Sequence, residues 1–289
     1  MPTFTTPQPI SLNVNIGIGA VHITAADRDD TVVEVLPADA SRDADLRAAE
    51  QTRVRFAGGT LRIRGPRSRG MFGHGPSIDV RVELPAGSLV DGVAAMGELR
   101  CEGRLGACRL KTAYGDITLD RSAAAFLDTA YGDVNVHHVD GDTMVTSGSG
   151  DIRITAVEGK AMIKNSNGAT WIGDAAGGLD VNSANGDITI DRARAAVNAR
   201  TAYGSIRIGE MVRGELVADT AHGTLEVGIP EGTAAWVDVS SVWGTVRNDL
   251  TAAAGPTDSD AETVQVRART GYGDIVIRRP AGARAEGAS

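Results

Sequence analysis

Apolar residues along this chain alternate with polar ones at a period of two, in short runs that restart at regular intervals. Counted from a recurring Gly, positions +2 and +4 are apolar: Ile117 and Leu119, Val134 and Val136, Ile152 and Ile154, Ile188 and Ile190, Ile206 and Ile208, Leu225 and Val227, Ile275 and Ile277. Positions −7 and −5 mostly follow suit, as in Cys108 and Leu110, Ala161 and Ile163, Leu179 and Val181, Val237 and Val239, Val266 and Ala268. Such alternation predicts strands with one buried face. Each repeat then holds two short strands of about five residues, joined by a Gly turn on one side and a looser turn on the other.

The register is set by Gly97, Gly115, Gly132, Gly150, Gly168, Gly186, Gly204, Gly223, Gly244 and Gly273, whose successive spacings are 18, 17, 18, 18, 18, 18, 19, 21 and 29. The turns share one pattern, as in Thr112-Ala113-Tyr114-Gly115-Asp116-Ile117 and Ser183-Ala184-Asn185-Gly186-Asp187-Ile188. A unit this short cannot form its own layered core, so it is read as one coil stacked on the next by parallel hydrogen bonding. The fold class is therefore all-β, a single-stranded β-solenoid (β-helix) of about 18-residue coils. Ten coils at about 4.8 Å extend roughly 50 Å. Helical repeats are excluded, because ankyrin and tetratricopeptide units need about 33 residues and a 3.6-residue pattern.

The first ninety residues continue the theme irregularly. Val21 and Ile23 follow Gly19 at +2 and +4, and Thr31–Leu36, Thr60–Arg64 and Ser77–Leu84 read as strands. The Ala-rich, charged stretch Ala38–Gln51 includes one short helix. Arg67–Gly75 reads as a mobile Gly-rich loop, and Asn248–Glu262 as an insertion. Residues 1–90 are read as a cap with irregular first coils, 91–280 as the regular solenoid, and 281–289 as a disordered tail.

Composition fits many tight turns around a thin aliphatic core: 36 Gly against 4 Phe, 4 Tyr and 3 Trp. The net charge of −8 is spread over interspersed signs, which argues against a nucleic-acid surface. No secretory signal is visible and no apolar run approaches the length of a membrane span, so the expected location is the cytoplasm. Cys101 and Cys108 sit at inward offsets on neighbouring strands and read as buried inert thiols. The pair His137-His138 points to opposite faces of a strand, which argues against chelation. No cofactor or metal is called for.

The pattern as a whole resembles the bacterial β-strand-repeat family of unknown function labelled "putative adhesin", also called the toastrack domain. The residues that carry the resemblance are Gly19 to Ile23, the strand start Gly58 to Ile63, the segment Val82 to Gly87, and the Ser/Thr-x-x-Gly-Asp-Ile coils. The resemblance implies a β-solenoid and, loosely, a role in surface attachment or envelope-stress sensing. It brings no catalytic residues.

Three columns run through the repeats. At −3 lies a polar ladder of Thr112, Thr129, Ser147, Asn165, Ser183, Thr201, Thr220, Ser241 and Thr270, read as side chains bonding one another or the turn backbone. At +1, Asp116, Asp133, Asp151, Asp187 and Asp274 are read as bonding backbone N–H groups in turns, with a calcium column as the rival reading. At −1 stand Tyr114, Tyr131, Ser149, Asn167, Asn185, Tyr203, His222, Trp243 and Tyr272, so that all four tyrosines of the chain share one column. Two readings stand for its rings: a solvent-facing stripe that binds a partner, or a cover over the Gly turns. The binding candidates are Tyr114, Tyr131, Tyr203, His222, Trp243 and Tyr272.

No nucleophile elbow, P-loop or metalloprotease motif appears. Short turns leave little room for the cleft of a carbohydrate-active β-helix, and the six-residue period of hexapeptide acyltransferases is absent. The sequence is thus read as a non-catalytic binding module, adhesin-like by resemblance, that recognises a protein or glycan along a lateral face. The alternative is a scaffold assembling through its coil ends. Pro2, Pro7 and Pro9 near one terminus and Arg278-Arg279-Pro280 near the other are read as blocked ends, hence a monomer rather than a filament.

Overall fold

A computed structural model describes residues 1–66, 75–250 and 262–280. The body of the Arg67–Gly75 loop, most of the Asn248–Glu262 insertion and the 281–289 tail fall outside these. The chain divides into two compact units, Met1–Gly168 and Ala169–Ser289.

In the first unit the strands are β1 (Thr3–Thr5), β2 (Ser11–Ile18), β3 (Val21–Ala26) and β4 (Asp30–Pro37), followed by helix α1 (Asp43–Gln51). Then come β5 (Arg53–Ala57), β6 (Thr60–Arg64), β7 (Ile78–Pro85), β8 (Leu89–Met96), β9 (Leu99–Tyr114) and β10 (Ile117–Tyr131). The unit closes with β11 (Val134–Val139), β12 (Thr143–Ser149), β13 (Ile152–Val157) and β14 (Ala161–Asn167). The second unit holds β15 (Thr170–Ala175), β16 (Leu179–Asn185), β17 (Ile188–Ala193), β18 (Val197–Tyr203), β19 (Ile206–Met211) and β20 (Gly214–His222). It ends with β21 (Leu225–Gly228), β22 (Ala234–Trp243), β23 (Val246–Asn248), β24 (Thr263–Tyr272) and β25 (Ile275–Arg278).

Both units are parallel β-solenoids, as the 18-residue period predicts. Equivalent residues of successive coils pair in register, Ile117 with Val134 and Val134 with Ile152, for example. The predicted +2/+4 and −7/−5 positions line the core, from Ile117 and Leu119 to Ile275 and Ile277, except that Val237 and Val239 of β22 are only half-buried. A third buried column, at +7, rounds the looser corner with Val139, Val157, Ala175, Ala193 and Met211. In β9 and β10 the backbone stays extended around that corner, so two predicted short strands become one of 16 or 15 residues. Cys101 and Cys108 therefore share strand β9 instead of lying on neighbouring strands; both are buried free thiols.

Stack order departs from chain order. In the first unit one arm of the coils runs β6–β2–β8–β9, and the other runs β7–β3–β9. The coil of β2 and β3, first in the chain, is thus inserted second from the outside. In the second unit β24 lies between β20 and β22, and β25 between β21 and β23. The last coil of the chain is therefore also inserted second from the outside. Arg278 and Arg279 consequently do not block the outer edge of that unit, contrary to the reading from sequence position.

The outer coil of the first unit is covered by antiparallel strands: β5 pairs with β6, β4 with β7, and β1 with β4. The predicted helix is α1. Asp43 and Asp45 sit in its first turn, where the exposed N–H groups favour negative charge. Buried Asp45 accepts a hydrogen bond from the Ser77 backbone N–H at 3.0 Å, tying the helix to the start of β7. Among the described residues no helix is long and apolar enough to cross a membrane.

Candidate functional site

The Gly turns form a continuous hydrogen-bonded spine in each unit. Thr112 and Thr129 donate their hydroxyls to the carbonyls of Gly97 and Gly115, at 3.3 and 3.2 Å. In the second unit Thr201, Thr220, Thr270 and Ser241 do the same towards Gly186, Gly204, Gly223 and Gly273, at 2.8–3.1 Å. The polar ladder is therefore structural and bonds the turn backbone; Ser147 and Ser183 make no such bond among the described residues. The Asp column also serves the turns. Asp116 Oδ1 accepts from the Asp133 N–H, Asp133 Oδ1 from the Asp151 N–H, and Asp187 Oδ1 from the Ser205 N–H, at 2.7–2.8 Å. Asp274 Oδ1 accepts from the Thr245 N–H at 2.8 Å.

This spine fixes the column at −1. Gly97 and Gly115 donate their N–H groups to the carbonyls of Tyr114 and Tyr131, at 2.7 and 2.8 Å. The N–H groups of Gly186, Gly204, Gly223 and Gly273 reach the carbonyls of Tyr203, His222, Tyr272 and Trp243 at 2.8–3.0 Å. The side chains project into solvent, with Tyr114, Tyr131, Tyr203, Tyr272 and Trp243 between 52% and 66% exposed. They stack on one another at the coil repeat. Tyr114 and Tyr131 lie 5.0 Å apart and 6° from parallel. In the second unit the order is Tyr203–His222–Tyr272–Trp243, with centroids 4.9, 4.9 and 6.4 Å apart and planes within 10°. The coil swap brings Tyr272 between His222 and Trp243, an order that the chain does not show.

The flanks of the rings are open. On one side stand small exposed residues, Ala113, Ala130, Ala202 and Ala221; on the other stand the exposed Asp116, Asp133 and Asp274. Beyond the alanines, Lys111 pairs with Asp128 at 2.5 Å and Arg200 with Asp219 at 3.3 Å. Each inner ring gives both faces to its neighbours and presents its edge to solvent. Such a ladder offers edges, phenol hydroxyls and bordering carboxylates; open ring faces remain only at its ends.

Two features escape the sequence reading. Met96 is in register with Tyr114 and 48% exposed, extending the first ladder by one residue. On the outer face of the first unit, Phe126, Met144 and Met162 lie in register and partly exposed, with the Arg109 guanidinium 5.2 Å above the Phe126 ring. The signal for this stripe was a second fixed offset, −6 from the turn Gly. His138 pairs with Asp140 at 2.9 Å, and His137 lies exposed. Among the described residues no group of His, Cys, Asp and Glu is placed to hold a metal ion.

A family model described as Toastrack DUF4097 matches residues 10–278. Solved structures to which this chain is similar include a putative adhesin from Bacteroides fragilis, at 10% identity and a TM-score of 0.41 over 96% of this chain and 95% of that one. A putative lipid binding protein from Parabacteroides distasonis matches at 12% identity and a TM-score of 0.38 over 95% of each chain. A putative cell adhesion protein from Clostridium sporogenes matches at 12% identity and a TM-score of 0.23 over 96% of this chain and 98% of that one. No curated protein matches.

Proposed function

The chain belongs to the Toastrack DUF4097 family, and on that premise we propose that it is a non-catalytic binding module whose ring ladders take up a partner along the lateral face. The observation that carries this reading is the exposure of stacked rings on a spine of hydrogen-bonded turns. Exposed aromatics held rigid lose little conformational entropy on binding, which is why they concentrate binding energy at interfaces. The chemistry favours a protein over a glycan. Sugars stack on ring faces, and here the inner faces are occupied by neighbouring rings. Ring edges bordered by Asp116, Asp133 and Asp274 suit a peptide surface that carries Lys or Arg.

The test is a crosslinked pull-down from the native host. It compares the wild type with a variant carrying Tyr114→Ala, Tyr131→Ala, Tyr203→Ala and Trp243→Ala. Each lost stack costs about 0.5–1.5 kcal/mol, so thermal unfolding of both proteins is measured first. A partner captured by the wild type and lost from the folded variant is the expected result. Equal capture by both proteins would return the ladders to a purely structural role.

A further inference from the structure

The outer coil of the second unit differs in kind from that of the first. Ten-residue β22 pairs with β24 along one edge, and among the described residues nothing pairs with its other edge. Natural edge strands are blunted by Lys, Pro, a bulge or brevity. β22 (Ala-Ala-Trp-Val-Asp-Val-Ser-Ser-Val-Trp) has none of these, and its one charge is Asp238. Its inward residues Val237, Val239 and Ser241 are half-buried, although Val266, Ala268 and Thr270 opposite them on β24 are fully buried. On its outer face Trp236 is 55% and Val242 74% exposed. Among the described residues the core is thus left open at a strand edge suited to one more strand.

We propose that this edge is a self-association surface and that two copies join through antiparallel pairing of β22 with β22 about a two-fold axis. The sequence selects the occupant, because the strand is complementary to its own reverse. Directly opposed residues of an antiparallel pair share a face, which leaves few registers. Centring the axis on Val239 sets Val239 against Val239 on the core side and Val237 against Ser241. On the outer side it sets Trp236 against Val242, twice, and Asp238 against Ser240. Shifting the axis to Asp238 opposes two carboxylates, which is unfavourable. Shifting it to Ser240 sets Asp238 against Val242. The Val239 register alone pairs the exposed apolar side chains with each other and keeps the carboxylates apart. An isologous pairing of this kind closes on itself, giving a dimer and no filament.

Sedimentation velocity of the full chain, followed by a scan of cysteines introduced one at a time beside the buried Cys101 and Cys108, tests the proposal. The wild type is expected to sediment as a dimer. A variant with Trp236→Lys and Val242→Lys, both exposed positions outside the ring ladders, is expected to sediment as a monomer with unchanged circular dichroism. Asp238→Cys, Val239→Cys and Ser240→Cys are then oxidised separately. Val239→Cys is expected to give the disulfide-linked dimer, since only the residue on the axis meets itself. A wild type that is monomeric up to its solubility limit, a dimer indifferent to the Lys substitutions, or crosslinking strongest at 238 or 240 would each overturn the proposed pairing. β22 shares Trp243 with the second ladder, but the Tyr114–Tyr131 ladder has no residue in β22, so the partner reading is tested separately there.

Discussion

Gly115 sits where no other residue fits. Its φ is +138°, and a Cβ built on it would lie 2.2 Å from the carbonyl oxygen of Gly97 in the neighbouring turn. The cost is both backbone strain and a clash with a hydrogen-bonded backbone that cannot move alone. Gly115→Ala is expected to lower unfolding free energy by about 3 kcal/mol or more in urea denaturation. A loss below about 1 kcal/mol would show that the turn relaxes around the methyl group. The two thiols of β9 lie at the opposite extreme of accessibility. Burial pushes Cys108 from the usual 9.0 up to about 12, and burial, with a smaller contribution from Cys108, raises Cys101 well above the same usual value. A thiol held protonated by the fold stabilises it fully below the unfolded value. That contribution is lost as pH climbs through the folded value, so stability is expected to decline between about pH 9 and 12. At pH 8 an aromatic disulfide reagent should leave the native protein untouched and titrate both cysteines once guanidinium is added; rapid reaction of either in the native protein would contradict their burial.

At the level of the element, the last strands matter more than their place in the chain suggests. β24 and β25 are the only described neighbours of β22 and β23. Removing residues 262–289 should therefore unfasten two coils. Hydrogen exchange is expected to show protection lost from Ala234–Asn248 as well, while β18 and β20 stay protected. Persistent protection across β22 in the shortened chain would argue against this dependence. The ring column was legible at this scale because every member holds one offset from its Gly. Its direction was not legible. Positions −3 and +2 are both inward yet five residues apart, so alternation breaks inside the turn, and the sequence does not say on which side of that break the ring falls. Met96 was missed because its turn carries no aromatic. The Phe126–Met144–Met162 stripe was missed because apolar residues at an outward offset resemble core residues until the register is known.

Across the molecule, the repeat length and the alternation together dictated parallel coils with a thin aliphatic core, and the described coils of both units follow them. What the sequence could not show is which coil lies beside which. In an in-register parallel stack every coil presents the same inward columns and the same backbone ladder, so any coil can seat against any other. The pattern of Val21 and Ile23 fits a place beside Leu99 and Cys101 as well as one beside Val80 and Val82, and it holds both at once. The irregular spacings of 21 and 29 before Gly244 and Gly273 were the one visible trace of the reordering. This inserted placement also governs timing during synthesis. Interior coils can settle on the coil made just before them, as soon as they leave the ribosome. The coil of β2 and β3 gains its outer neighbour only after Pro85 has been made and its inner one only after β9. At the other end, β22 is made before its sole described neighbour and must wait for β24. That unit is completed only once β24 and β25 have followed β22 and β23 out of the ribosome.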